Sequence, residues 1–440
     1  METKLPHIVV LGAGFGGLTF CQDFKGKAHI TLIDRKNHHL FQPLLYQVAT
    51  AALSAPDIAQ PIRSILTDND NVTVLMDEAT GINLTEKSVS LKNGTLHYDF
   101  LILGLGGVTS YFGHPEWEQF APGLKSLDDA LTIRRRVLYA FEKAETEMNP
   151  QRRDELLTIV VVGGGPTGVE LAGAFSELAK HVLVKDFQRI DPARARVILI
   201  EASTRVLSHL SPGLGDTARA QLETMGVEVK TSAKVKNIAH GFVELDSGEV
   251  IRAENVIWAA GVGASPLGRQ LGVETDRAGR VKVAPDLSIP GHPSAFVIGD
   301  MANCVDKNGV NVPGVSPAAM QMARHVAEII EDELLFPQHR QRKPFGYWDK
   351  GTMATIGRSA AVAKVQDFEF SGFLAWLAWL FIHLIFLVGF RNKVAVFLQW
   401  VYSYFTYKRG SRIITGQAGD AYLAEEETKN TPMVPPGHAH

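Results

Sequence analysis

Cysteine is almost missing from this chain. Its 440 residues hold two, Cys21 and Cys304. That number excludes a disulfide framework, a CxxC redox pair and a cysteine zinc site, and each thiol reads as a small buried hydrophobe. Net charge is also small, −3 from 44 basic and 47 acidic residues, with no basic stripe, so a nucleic-acid partner is not expected. No metal site is expected; His438 and His440 are too few and too near the end. Met1–Pro6 is short and polar and lacks the pattern of a secretory leader, which places the bulk of the chain in the cytoplasm. Apolar content of 45% and charged content of 21% are ordinary for a globular chain with a large core, and the length suggests about three domains. Charge is absent altogether from Ser371–Phe390, a run without Asp, Glu, Lys or Arg.

Glycine, by contrast, is clustered. Gly12-Ala13-Gly14-Phe15-Gly16-Gly17 follows an apolar strand-like run, His7–Leu11, and precedes a helix-like stretch. A second strand-like run, Ile30–Ile33, ends in Asp34, 22 residues after Gly12, with Arg35 beside it. A glycine cluster alone makes an ordinary turn. Strand, cluster, helix and acid together form a dinucleotide fingerprint. The first glycine allows the tight turn, the second lets a pyrophosphate approach the backbone, the third lets helix pack on strand, and the acid accepts hydrogen bonds from a ribose. Helix N-terminal amides then face the phosphates. The pattern recurs about 150 residues later as Gly163-Gly164-Gly165-Pro166-Thr167-Gly168, after the strand Thr158–Val162 and before a helix over Val169–Lys180. Its acid is Glu201, followed by Ala202 at the end of Val197–Ile200 and 38 residues past Gly163, so His181–Arg196 reads as an insertion or helix extension. Glu201 suits the free 2′-hydroxyl of NADH and repels the 2′-phosphate of NADPH; Arg205 nearby works the other way. Ile257–Val262 is the matching return strand, with Ala260, Gly261 and Val262 leaving room for a nicotinamide. Two such cradles predict electron transfer between two nucleotides.

More distant segments carry a resemblance. Ala295-Phe296-Val297-Ile298-Gly299-Asp300 is similar to the second FAD motif of the two-dinucleotide flavoprotein reductases, and Asp99–Gly106, which includes Gly104, to their returning strand. The resemblance implies that FAD occupies the first cradle, with Gly299 and Asp300 at its ribityl chain, and that the NADH domain is inserted into a split FAD domain. Phe41–Ala49, then Tyr347–Gly351 with Ala354–Arg358 and Ala361-Val362, then Gly372–Arg412, resemble type II NADH dehydrogenase, the single-subunit NADH:quinone oxidoreductase. This covers nearly all of the chain up to about Gly416. It implies an α/β fold of two Rossmann-like dinucleotide-binding domains, as in glutathione reductase, with a C-terminal helical membrane-anchoring segment. NADH would give a hydride to FAD, and two electrons would go on to a quinone without proton pumping.

Several residue roles follow from the same resemblance. Phe41–Val48, with a mid-run proline, reads as a loop that passes the flavin with Gln42, Pro43, Leu44 and Gln47; the alternative is a surface loop with a buried apolar side. A helix over Ala318–Leu335, with Ser316 as N-cap and Pro317 at its first position, would aim its positive end, Ala319 and Met320 included, at the flavin. Gln321 matches a family glutamine near the quinone, whereas Pro317 replaces a second one. Glu170 is either a charge compensating its helix dipole or the family's glutamate at the nicotinamide–flavin contact. The missing cysteines argue against sulfide:quinone and disulfide reductases.

The uncharged run Ser371–Phe390 is long enough to span a bilayer and shows no polar face. Val394–Tyr407, rich in Trp and Tyr, precedes Lys408, Arg409 and Arg412, which suit anionic lipid. A transmembrane anchor, a buried or dimer-interface helix and a monotopic anchor in one leaflet compete, and the resemblance favours the last. His383 reads as a satisfied buried histidine. Residues 416–440 read as a disordered tail. The expected organisation is a first FAD part (1–115), a helical connector (116–155), the NADH domain (156–265), a second FAD part (266–345) and the anchoring region (346–415). Quinone and the lipid surface are the expected partners, a homodimer is left open, and the expected location is the cytoplasmic face of the inner or plasma membrane. Two other functions compete: a soluble NADH reductase serving a protein acceptor, and a non-enzymatic redox sensor.

Overall fold

The computed structural model describes residues 5–338 and 341–415; the expected tail lies outside them. Runs of Val, Ile and Leu that alternate with helices form parallel strands buried on both faces. The first sheet has six strands, in the order Ser288–Ile289, His292–Val297, Phe100–Leu103, His7–Leu11, His29–Asp34, Val72–Met76. All pair in parallel except the Ser288–Ile289 edge. The second sheet has four parallel strands, in the order Asn255–Trp258, Thr158–Val162, Arg196–Ile200, Val227–Lys230.

The two sheets are built on one plan. In each, the fingerprint strand lies between the strand that ends in the acid and the return strand. A three-stranded antiparallel unit separates the outer strand from the return strand in both: Ala79–Asn83, Ser88–Leu91 and Gly94–His97 in the first, Val235–Ala239, Phe242–Leu245 and Val250–Arg252 in the second. This duplication went unread in the sequence, because only the glycine clusters repeat visibly. The chain passes between the halves through an antiparallel ribbon of Gly107–Thr109 with Val262–Ala264. The return strand therefore stops at Trp258, and the expected single run Ile257–Val262 is two elements divided by Gly261, whose φ is +78°.

Other boundaries also moved. The second fingerprint helix covers Pro166–Glu177 instead of beginning at Val169, because Pro166 has the φ of a first helical residue and no amide to waste there. It widens into a π turn at Leu178–Val182, which accounts for part of the long gap before Glu201. The helix expected from Ala318 begins at Ser316 and has Val315, in extended conformation, as its cap, so Ser316 is inside the helix and caps nothing. Phe41–Val48 is no loop. Gln42–Leu44 forms a 3-10 turn that accommodates Pro43, and Leu45–Ala49 a buried helix.

The last part of the chain forms an antiparallel sheet, Thr352–Gly357, Ala360–Val365 and Phe368–Ser371, followed by two helices. Phe373–Phe386 and Phe390–Thr406 are separated at Leu387–Gly389, where Leu387 turns extended and Gly389 has a φ of +85°. Among the described residues no helix is long and apolar enough to cross a membrane. The uncharged run has no polar face because both of its faces are used. Ala375, Trp379 and Leu387 are buried against the protein, whereas Phe373, Leu374, Phe381 and Phe390 are exposed; the helix that follows likewise buries Val396 and exposes Phe397, Leu398 and Phe405.

This C-terminal unit is seated by one close approach. At Gly173, on the second fingerprint helix, a Cβ would lie 1.7 Å from the carbonyl oxygen of Ile356. Neither backbone can yield cheaply. We expect Gly173→Ala to lower stability by about 2 kcal/mol or more, an overpacking cost. A fall of several degrees in the thermal melt followed by circular dichroism checks this, and an unchanged melt would contradict the packing described.

Candidate active site

Both glycine clusters form open cradles. Gly12 and Gly163 have φ of +97° and +110°, and a Cβ there would strike Gly104 and Ala260 backbone atoms at 2.4 and 2.7 Å. Gly17 and Gly168 lie so close to the carbonyls of Gly12 and Gly163 that a Cβ would come within 1.9 and 1.8 Å. Gly16 presses on Ile298. The middle glycines differ: a Cβ on Gly14 or Gly165 would meet nothing within 4 Å. That is the opening a phosphate needs beside helix N-terminal amides.

The two acids behave as a pair. Asp34 Oδ2 accepts from the Ala13 amide at 2.7 Å and Oδ1 from Lys36 at 2.8 Å. Glu201 Oε2 accepts from the Gly164 amide at 2.5 Å and Oε1 from Ser203 at 2.6 Å. Each carboxylate thus braces its own glycine loop and keeps further lone pairs for a ribose. Arg35 is mostly exposed, 3.9 Å from Glu78, and Ala202 is exposed. Phe15 packs edge-on against His39 and Phe41 and leads the cradle towards the Phe41–Ala49 segment. Gly299 has a φ of +66°, and Ala319 lies against both Gly299 and Gly16. A Cβ on Gly107 or Gly314 would lie 3.1 or 3.2 Å from the Asp300 carboxylate. Lys125, whose amine burial pushes towards neutrality, is drawn back by that same carboxylate. Met320 and Thr167 are half-buried on the helices that carry them.

The expected flavin neighbours divide. Leu44 is buried, and Gln42 Nε2 reaches the Lys125 carbonyl at 3.3 Å. Gln47 is buried and occupied elsewhere. Its Nε2 donates to the Tyr46 hydroxyl at 2.9 Å, and its Oε1 accepts from Trp400 Nε1 at 2.8 Å. Gln321 holds the backbone of Trp348 with both ends of its amide, at 3.0 and 2.9 Å, and does not line the cavity described next. Its amide keeps one N–H and one oxygen lone pair beyond these bonds.

That cavity, of about 110 Å³, lies where four elements meet: the second fingerprint helix, Tyr46–Ala52, the strand Thr352–Gly357 and the terminal helix pair. Glu170, Ala174 and Glu177 line it from one helix face, at spacings of four and seven residues. Glu170 touches the cavity but is otherwise enclosed. Burial holds its carboxyl well above the usual carboxylate range, and the Thr355 amide and Trp379 indole draw it only partly back. Burial thus favours its neutral form, which neither sequence-based role had foreseen. The Tyr46 hydroxyl is raised by burial and then by Glu170. Trp379 Nε1 is buried beside the Glu170 carboxyl, near enough to act on it but without closing a well-formed hydrogen bond. Trp379 stacks on His383 at 4.0 Å, and His383 Nδ1 pairs with the Trp379 carbonyl at 2.7 Å. Burial pushes that imidazole down to about 4, so His383 is neutral and satisfied as expected.

Two arginines, Arg358 and Arg409, line the cavity. Arg409 is buried. Its Nη1 donates to the Thr50 and Ala174 carbonyls at 3.0 and 3.3 Å, and its Nη2 to Glu177 Oε2 at 2.9 Å. Glu177 Oε1 also accepts from the Arg358 amide at 2.5 Å. The sequence reading passed over Glu177, although two acids seven apart on an otherwise apolar helix face were a visible signal. It took Arg409 for a lipid-facing cation, and burial beside Glu177 corrects that.

The chain matches the pyridine nucleotide-disulphide oxidoreductase family over residues 6–323 and the NDH2 C-terminal domain over residues 349–408. It is 48% identical over 434 residues to the type II NADH:quinone oxidoreductase Ndh of Mycobacterium tuberculosis, covering 96% of this chain and 93% of that protein. Identity to NdhA of the same organism, also a type II NADH:quinone oxidoreductase, is 45% over 426 residues, covering 93% and 90%. The structure of NDH2 from Plasmodium falciparum in complex with NADH superposes with a TM-score of 0.85 at 20% identity, covering 94% of this chain and all of that one, and so shares the fold. With two nucleotide cradles, no redox cysteine and a C-terminal unit matched in its own right, the chain belongs to the type II NADH:quinone oxidoreductases, within the pyridine nucleotide-disulphide oxidoreductase family.

Proposed function

We propose that this protein oxidises NADH and reduces a membrane quinone, with FAD resident in the first cradle. The observation that carries this reading is the position of Glu170. A carboxyl that burial biases towards its protonated form lines a cavity between the second nucleotide helix and a helix pair whose outer face is bare hydrocarbon. Gly12, Gly14, Gly16, Gly17 and Asp34 would hold the pyrophosphate and ribose of FAD, with Gly104, Gly299, Asp300, Ala319 and Met320 around the rest. When bound, FAD would take a hydride from NADH and release two electrons to the acceptor. Gly163, Gly165, Pro166, Thr167, Gly168, Glu201, Ala260, Gly261 and Val262 would orient NADH, and Glu201 would select against a 2′-phosphate. Glu170 would keep a proton close to the acceptor. The Trp376, Trp379 and Trp400 rings would exclude water from it. Gln321 would hold Trp348 and keep one N–H and one lone pair for the acceptor.

The exposed phenylalanines and leucines of Phe373–Phe386 and Phe390–Thr406 form a face too apolar for solvent, flanked by exposed Arg391 and Lys408. The helix pair would lie in one leaflet and admit the quinone from there, as a monotopic anchor does. The cytoplasmic face remains the expected side. A soluble reductase with a protein acceptor has no use for this face.

In anaerobic solution NADH should bleach the bound flavin, and a short-chain quinone should restore the oxidised spectrum; failure of the second step would sink the proposal. Replacing Phe390, Phe397 and Phe405 together by Ser should weaken binding to anionic phospholipid vesicles by about 100-fold or more in a sedimentation assay, since each buried Phe contributes about 1.5–3 kcal/mol. The acid predicts a pH effect. An unfolded glutamate loses its proton near pH ~4.3, whereas folded Glu170 keeps it, so wild-type stability falls as pH rises above that value. Glu170→Gln removes this loss. The melting temperature of the variant should gain on wild type steadily from about pH 4.3 upwards, and a constant difference across pH would argue against a neutral Glu170.

A further inference from the structure

The cavity holds two arginines of opposite habit. Arg409 spends its donors on two carbonyls and a carboxylate, as a structural arginine does. Arg358 spends none: among the described residues its guanidinium makes no hydrogen bond, although it lines the same cavity. Its Nη1 is shut off from water and bonded to nothing. The side chain is nevertheless held. The Tyr404 and Tyr407 rings lie 4.2 and 4.0 Å from its guanidinium carbon, and Glu177 fixes its backbone amide. Stacking against rings secures the plane of a guanidinium and leaves its N–H edge for a ligand. An unpaired buried donor is costly to the fold, and a ligand oxygen would relieve that cost.

The second donor is Trp379. The residue is 1% exposed and lines the cavity, and its indole N–H, beside the Glu170 carboxyl, closes no well-formed hydrogen bond. Together they place one cationic donor without a hydrogen bond and one neutral donor beside Glu170 in a chamber whose acid burial biases towards its neutral form. A chamber of donors fits a ligand that brings acceptors only and gains negative charge during the reaction. A ring carrying two carbonyl oxygens meets both requirements.

We propose that Arg358 grips a ring oxygen of the acceptor quinone and stabilises the charge that two-electron reduction puts there, with Trp379 Nε1 as a second donor. This rests on the quinone reductase reading above. The balance is complete. NADH gives up a hydride, that is two electrons and one proton. The two carbonyl oxygens of the ring become hydroxyls, one taking its proton from the Glu170 carboxyl and the other from solvent. The hydride's proton returns to solvent and solvent reprotonates Glu170, so that one proton is taken up in all. Arg358 remains a cation throughout and transfers no proton.

The test uses the FAD-loaded, full-length protein in detergent, with Arg358→Met, Arg358→Lys and Trp379→Phe. Steady-state kinetics give KM for a short-chain quinone and, separately, for NADH. Quenching of tryptophan fluorescence by the same quinone gives its Kd for the oxidised protein without NADH. Losing a hydrogen bond from a charged donor corresponds to a factor of about 10–100. In Arg358→Met the quinone KM and Kd should both rise by at least about tenfold, with KM for NADH moving less than twofold. Arg358→Lys should fall between wild type and Met, and Trp379→Phe should raise the quinone Kd by a smaller factor. An unchanged quinone KM and Kd in Arg358→Met would overturn the proposal, as would an equal rise in both KM values, which a merely structural arginine would produce. Loss of binding to phosphatidylglycerol vesicles with quinone kinetics intact would give the cation to a lipid phosphate and overturn it too. If instead the wild-type protein fails to pass electrons to any quinone, it is the function that falls, and the two failures are told apart by that control.

Discussion

The Glu177 carboxylate joins the two halves of this molecule that matter most. It bonds Arg409 from beyond the last helix and the amide of Arg358 from the C-terminal sheet, while its own helix begins at the second glycine cradle. Removing one partner of a buried ion pair costs about 3–5 kcal/mol, because the other charge is stranded. The geometry of the cavity, the seating of the terminal helices and the enclosure of Glu170 all depend on this contact. Gly173, one turn earlier on the same helix, supplies the close fit that lets the strand approach near enough for the contact to form.

Around that point the site is assembled from distant pieces of chain. Tyr46 and Gln47 come from the first nucleotide domain, Glu170 from the second, Trp379 and Trp400 from the terminal helices. One hydrogen-bond chain, Trp400 to Gln47 to Tyr46, crosses from the outermost helix to the vicinity of the neutral acid. The helices that present hydrocarbon outwards are thereby physically continuous with the residues that hold a proton inside. Asn392 adds a second tie, to the Pro56 carbonyl at 3.1 Å.

How much of this was legible in the sequence follows from the range of each interaction. The cradles were legible because their requirements are local: Gly12, Gly163 and their neighbours must be glycine for backbone reasons, and Asp34 and Glu201 follow at the end of the next strand. The parallel sheets followed from apolar runs that alternate with helices. Element starts were less legible, since Pro166 and Ser316 obey backbone geometry that composition does not reveal. The roles of Gln47, Gln321, Arg358 and Arg409 were not legible, because each depends on partners tens to hundreds of residues away. The apolar C-terminal run was read as possibly spanning because hydropathy counts hydrocarbon and cannot tell a face pressed on protein from one left bare. The break at Gly389 is set by one backbone angle.

The duplicated cradles also differ by a single amide. Where the first helix opens with Phe15, the second opens with Pro166, which has no N–H. The first cradle can therefore offer one more donor to a bound phosphate than its twin. A hydrogen bond to a charged group contributes about 1.5–3 kcal/mol, which on dissociation is a factor of roughly 10–100 in lifetime. One imino acid at a helix start thus leaves two copies of the same architecture unequal in the donors they present to a phosphate.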